Sequence, residues 1–166
     1  MNRRFLLSLL CVGTVFLATP SAHADDWFDF QAVMRTLKKF FFPPPVHYNY
    51  DPHMIKAAEI AVKRAHPKMT WHCWGAVKDA LLQADVITKR PKSPWAKQAG
   101  AELCENYGFI KVPIRNPYDA PVGSVIVYGG LDAGHVELRS STGFVSDFTS
   151  QTPYPRPLIG VYLKPI

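Results

Sequence analysis

The chain has 166 residues, 48% of them apolar, 13% aromatic and 19% charged, with 19 Lys+Arg against 13 Asp+Glu for a net charge of +6. That length carries one domain with a substantial core and falls short of two, and many aromatics with modest charge exclude wholesale disorder. Only one uncharged apolar run, residues 5–20, approaches the ~18 residues of a membrane helix, and it lies at the N-terminus.

Taken in chain order, Arg3 and Arg4 precede this run, and Ala22-His23-Ala24 follows it just before Asp25-Asp26. A basic start, an apolar stretch and a small-x-small site read as a cleaved export signal over 1–24, which places the mature protein in the periplasm, outside the cell or at the cell envelope, with no stable membrane anchor. A lipid anchor through Cys11 is the rival reading, but Leu10 stands where a small residue is needed. Cleavage removes two positive charges and leaves a mildly basic protein suited to an anionic polymer such as the cell envelope. Nucleic acid is not indicated, because Lys and Arg are scattered rather than clustered with aromatics. Residues 25–50 hold an amphipathic stretch (Phe28, Val33, Leu37, Phe40) and then Pro43-Pro44-Pro45, which forces an extended segment. This region reads as an arm or linker, and 51–166 as the domain proper.

Asp51-Pro52 is a helix start, a capping side chain followed by a residue whose missing N–H costs nothing there. Met54, Ile55, Ala58 and Val62 recur at helical spacing until His66-Pro67. Thr70 caps a second predicted helix to about Ala84, with Cys73, Val77, Ala80, Leu81 and Ala84 inward. Ser93-Pro94 opens a third, along which Trp95, Ala99, Leu103 and Tyr107 align before Gly108 ends it. Beyond Gly108 the period changes to two, and strands are predicted over 109–114, 124–128, 135–140, 144–148 and 159–163. Helices first and strands afterwards, joined by short turns, predict an α+β fold with a mainly antiparallel, about five-stranded sheet.

Cys73 falls within the first turn of the second helix, where backbone N–H groups and the positive end of the helix dipole favour a negatively charged sulfur. A cysteine nucleophile also needs a base, and His135 opens a strand just after Gly134, at the rim of the sheet. Asp147, on the next predicted strand, is placed near Glu137 by a hairpin turning at 141–143, one pleat from His135, and is the first choice to orient the imidazole. Glu137 is its rival, since at i+2 it shares a face with His135; a substrate contact or a solvated strand position are its other readings. His72 is a rim residue, about 100° around the helix from Cys73, and a candidate substrate contact. Trp74 is a core or cleft-wall residue that is also a candidate contact.

The order Cys73-Trp74-Gly75-Ala76-Val77, then Gly123-Ser124-Val125-Ile126-Val127-Tyr128, then Gly134-His135-Val136-Glu137 resembles the NlpC-type and CHAP families of the papain-like superfamily. Over residues 70–150 the likeness implies an exported cysteine peptidase or amidase that cuts amide bonds in peptidoglycan peptide, with Cys73 as nucleophile, His135 as base and Asp147 in the third polar place. It implies no metal or organic cofactor. Ser124 stands where those families carry Asp, and His72-Cys73-Trp74-Gly75 replaces the D-C-S-G of the NlpC type. The families often hold a tyrosine ahead of the nucleophile that polarises the scissile carbonyl, a place for which Tyr48 or Tyr50 is a candidate. Two alternatives stand beside the enzyme. One is an envelope-binding or adaptor domain stapled by a Cys73–Cys104 disulfide, which would close a loop of about 30 residues worth roughly 3–4 kcal/mol. The other shares the chemistry but is a toxin delivered to rival cells.

Overall fold

The structure, a computed structural model, describes residues 32–37 and 47–166. The chain divides into two units, Met1–Val46 and His47–Ile166. In the first, residues 32–37 are helical, and Thr36 Oγ1 donates to the Ala32 carbonyl. The export signal, Cys11 and the Pro43–Pro45 run lie outside the described residues.

The second unit begins where Asp51 N–H donates to the Lys164 carbonyl, so the start of the unit is sewn to its end. Helix α1 spans His53–Arg64. Asp51 Oδ1 accepts the His53 N–H at 2.9 Å, which fills one of the orphan donors at the helix start. The buried face is Met54, Ala57, Ala58 and Ala61, whereas Ile55 and Val62, expected inside, are each 37% exposed. Alanines let α1 approach its neighbours closely, and the larger residues are displaced to the flank of that contact.

Helix α2 runs Cys73–Gln83, and Cys73 is its first residue. It starts later than expected because the Thr70 side chain bonds elsewhere and makes no cap. The Ser93-Pro94 signal likewise does not cap the third helix: Ser93 accepts the Trp74 Nε1–H, a 3₁₀ turn covers Ala96–Gln98, and helix α3 follows over Ala99–Tyr107. Gly108 closes α3 in the left-handed conformation (φ 74°).

Six strands follow: β1 Ile110–Val112, β2 Val125–Tyr128, β3 His135–Ser140, β4 Gly143–Val145, β5 Thr149–Ser150 and β6 Leu158–Leu163. They form one antiparallel sheet in the order β1-β6-β2-β3-β4-β5. The α+β class is as expected, and the sheet has six strands rather than about five. The extra strand arises because the predicted 144–148 strand breaks: Ser146 N–H turns back to the Phe148 carbonyl, and pairing resumes at Thr149. Helices α1 and α2 pack on each other and on β3. Val125, Val127, Val136, Leu138 and Val161, fully buried, make the sheet's share of the core. Among the described residues no helix is long and apolar enough to cross a membrane.

Candidate active site

Two glycines set the strands that carry the site. Gly123 (φ +93°) lies so close to α1 that a Cβ would sit 2.7 Å from the Met54 backbone carbon, so β2 begins hard against that helix. Gly134 (φ +75°) has the Tyr128 carbonyl oxygen 2.5 Å from where a Cβ would be. A side chain there would push His135, the next residue, off the sheet. In the β2–β3 ladder Tyr128 pairs with His135 and Ile126 with Glu137, so these four side chains share one face.

The imidazole of His135 is buried with 4% exposure, and the two groups that shift its titration are the thiol of Cys73 and the carboxylate of Glu137; its Nε2 is enclosed and closes no hydrogen bond of normal geometry. Nε2 lies 3.5 Å from Glu137 Oε2. Glu137 is itself pinned: its Oε1 accepts the Tyr128 hydroxyl at 2.5 Å and the Tyr154 N–H at 3.4 Å. The Tyr154 ring stacks on the imidazole with centroids 3.9 Å apart and planes 19° from parallel. Tyr128 and Phe148 complete an aromatic surround at 6.1 and 6.4 Å. Burial alone would lower the pKa of His135, but the nearness of Cys73 and Glu137 as acceptors and as negative charges overcomes it and lifts the value to about 9. The ring therefore holds its second proton at neutral pH. Burial, together with the Glu137 charge, drives the Tyr128 hydroxyl far above its usual range, so it remains a donor.

Cys73 is half-buried and free, as is Cys104. Cys104 sits in α3, where burial raises its pKa and Glu105 and Lys111 are its charged neighbours. No Cys73–Cys104 bond joins the two sulfurs in the structure. The first hydrogen bond of α2 runs from Ala76 N–H to the His72 carbonyl at 2.9 Å. The N–H groups of Cys73, Trp74 and Gly75 consequently emerge from the helix end without intrahelical acceptors, beside the sulfur.

Asp147 is buried and does not face the imidazole. Its Oδ2 accepts Thr70 N–H (2.6 Å), Thr70 Oγ1–H (2.8 Å) and His72 N–H (3.2 Å), and its Oδ1 accepts Ser146 Oγ–H (3.0 Å). Burial would raise its pKa; these bonds outweigh burial and hold the carboxyl below the usual value. The sequence expectation failed on register. β3 and β4 pair Leu138 with Val145 and Ser140 with Gly143, one residue away from the pairing that faces Asp147 to Glu137, and a one-residue slip moves a side chain to the other face. The ladder also ends at Val145. Asp147 instead clamps the loop ahead of the nucleophile, where Trp71 is held at φ +66°, a conformation costly for a residue with a Cβ.

The remaining candidates separate. His72 is exposed at the helix start, its Nδ1–H donating to the Thr70 carbonyl at 2.7 Å. Trp74 is 4% exposed, its Nε1–H bonded to Ser93, with Lys78 Nζ 4.8 Å from its ring, so it is a core residue rather than a substrate contact. Tyr50 is a strut, its hydroxyl donating to the Val122 carbonyl at 2.8 Å, and not a group aimed at a carbonyl in the cleft. Sequence reasoning missed Tyr154, which comes from an irregular loop with no periodicity. It also missed the role of Tyr128, although the hairpin pairing with His135 was within reach. The loops that carry these groups are tied by Arg156, whose guanidinium grips the Asp132 carboxylate through both Nη atoms, while Asp132 also accepts the Gly134 N–H. No cluster of three metal-ligating side chains occurs among the described residues.

No protein-family model matches the chain, and no curated protein is similar to it. Among solved structures it is similar to a chain of the type VI native effector–immunity complex Tae3–Tai3 from Ralstonia pickettii, at 24% identity and a TM-score of 0.57, covering 67% of this chain and 98% of that one. A selenomethionine form of the same complex gives 23% identity and a TM-score of 0.47 over 66% of this chain and 97% of that one. The first of these shows a shared α+β fold.

Proposed function

We propose that this domain is an exported cysteine hydrolase of papain-like design that cleaves an amide bond in the peptide of the cell wall. The observation that carries the reading is the buried imidazole of His135 set between the thiol of Cys73 and the carboxylate of Glu137. Nε2 faces Glu137, which leaves Nδ1 for the sulfur. The Cys73 sulfur stands at the positive end of α2, where backbone N–H groups favour a thiolate over a thiol, and the imidazole beside it supplies the opposite charge. The thiolate attacks the scissile carbonyl carbon, and the oxyanion that forms is met by N–H groups at the helix start. His135 gives its proton to the leaving amine, producing a thioester. It then takes a proton from water as the hydroxide displaces the thiolate and frees the acid. Glu137 fixes the tautomer and orientation of the ring throughout, and Tyr128 and Tyr154 fix Glu137.

Likeness to a chain of an effector–immunity complex supports, for the toxin case, an immunity protein as partner, and the destination is then the envelope of a rival cell. The export signal read at 1–24 favours the envelope of the producing cell. The test is release of new amine termini from purified peptidoglycan by the mature chain, with Cys73→Ala as control. Release only by the wild type is expected, and equal release by both refutes the mechanism.

A further inference from the structure

Beside the nucleophile, on the flank of α2 facing α1, lies a hollow of about 470 Å³. Its floor is made by small residues, Ala61 of α1 with Gly75 and Ala76 of α2, and its walls include Arg64, His66, His72, Arg90, Asp79 and Asp147. Neither Cys73 nor His135 lines it, yet it is close to the sulfur: His72 adjoins Cys73 in sequence, and Ala76 is its i+3 neighbour, about 5–6 Å away between Cβ atoms.

The two acidic groups of this hollow are already occupied. Asp79 is paired with Arg90 at 3.0 Å, and Asp147 accepts four hydrogen bonds from Thr70, His72 and Ser146. The cationic side is not matched. Arg64, in the last turn of α1, makes no ion pair among the described residues. His72 uses only Nδ1, which leaves Nε2 available to a ligand. A guanidinium fork above an apolar floor, flanked by imidazole nitrogens, complements a planar anion.

We propose that this hollow is a subsite for a free carboxylate of the peptide substrate, bound chiefly by Arg64 with His72 beside it. The proposal rests on the hydrolase reading for its biological role, but the binding it describes does not require turnover. A carboxylate seated here anchors the peptide one residue's reach from Cys73 and selects chains that carry a free acid at that distance from the scissile bond.

The experiment is calorimetric titration of the Cys73→Ala full-length mature chain with a synthetic wall-stem tetrapeptide ending in a free carboxylate, and with the same peptide ending in a carboxamide. The acid is expected to bind roughly tenfold more tightly than the amide. Adding Arg64→Ala is expected to erase that difference. Adding Lys63→Ala, whose side chain lines a separate hollow beside Ile55 and Val62, is expected to keep it. Inorganic phosphate at matched ionic strength is expected not to displace the acid. Equal affinity for acid and amide, loss of discrimination with Lys63→Ala, or displacement by phosphate would each overturn the proposal. Should the wild type release no amine termini from peptidoglycan, the hydrolase reading fails while these titrations still report on the subsite.

Discussion

Two buried carboxylates ten positions apart, Glu137 and Asp147, are each 3% exposed and do different work. Glu137 stands on a regular strand, and its oxygens are shared between the Tyr128 hydroxyl, the Tyr154 N–H and the imidazole of His135. Asp147 stands where the strand has broken, and its oxygens are filled by donors from its own turn and from the loop ahead of Cys73. One acid is wired to the base and the other to the backbone that aims the nucleophile. What decides the role of a buried acid is therefore which donors fill it, because a carboxylate taken out of water is stabilised by its hydrogen-bond partners alone.

The sharpest way to break this contrast is to neutralise each acid in turn. Glu137→Gln removes the charge that holds the imidazole protonated and oriented, and kcat is expected to fall by about a hundredfold or more. In the wild type, kcat/KM is expected to fall as pH rises through about 9, where His135 loses its proton; in Glu137→Gln that alkaline limb moves to lower pH. A pH–rate profile checks both, and an unmoved limb would exclude Glu137 as the orienting group.

Asp147→Ala is expected to act first on stability. It strands the N–H groups of Thr70 and His72 beside a strained Trp71, a loss of roughly 2–3 kcal/mol measurable by denaturant titration. Because the folded pKa of Asp147 is depressed, its stabilisation is present above the ordinary carboxylate pKa of about 4 and is lost as pH falls through the lower folded value. The variant is expected to lose that part of the acid sensitivity while its alkaline limb stays in place. If the limb shifted here and not in Glu137→Gln, the two roles would be exchanged. A smaller effect is expected from Tyr128→Phe, which removes one donor from Glu137 and leaves the ring: kcat should drop about tenfold with the fold intact by circular dichroism.

The same contrast marks what could be read in the sequence. β3 was legible to the residue, and with it the Gly134-His135-Val136-Glu137 series, because period-2 alternation fixes which side chains share a face. Cys73 at the start of a helix was legible from the switch to 3.6 periodicity after Thr70. Asp147 was assigned through a hairpin register, and register is where a single residue reverses the answer; the Ser146–Phe148 turn that breaks the strand leaves no periodic trace. Thr70 and Ser93 carried cap signals, but tertiary partners, Asp147 and Trp74, claimed their side chains. Tyr154 lies in a Pro-rich connection, where neither period applies and only the folded chain brings its ring to the base.

Tyr154 supplies the finest test of the wiring on the Glu137 side. Its ring covers the imidazole at 3.9 Å, and its contact with the carboxylate comes from the backbone N–H, so a side-chain change removes the stack and spares the hydrogen bond. An aromatic face over a protonated imidazole is worth about 0.5–1.5 kcal/mol, and one pKa unit corresponds to about 1.36 kcal/mol. In Tyr154→Leu the alkaline limb is accordingly expected to fall by up to about one unit, with kcat/KM at neutral pH reduced only a few-fold, whereas Tyr154→Phe should match the wild type. A limb that moves as far in Tyr154→Leu as in Glu137→Gln would mean that the ring, rather than the carboxylate, sustains the charge on His135.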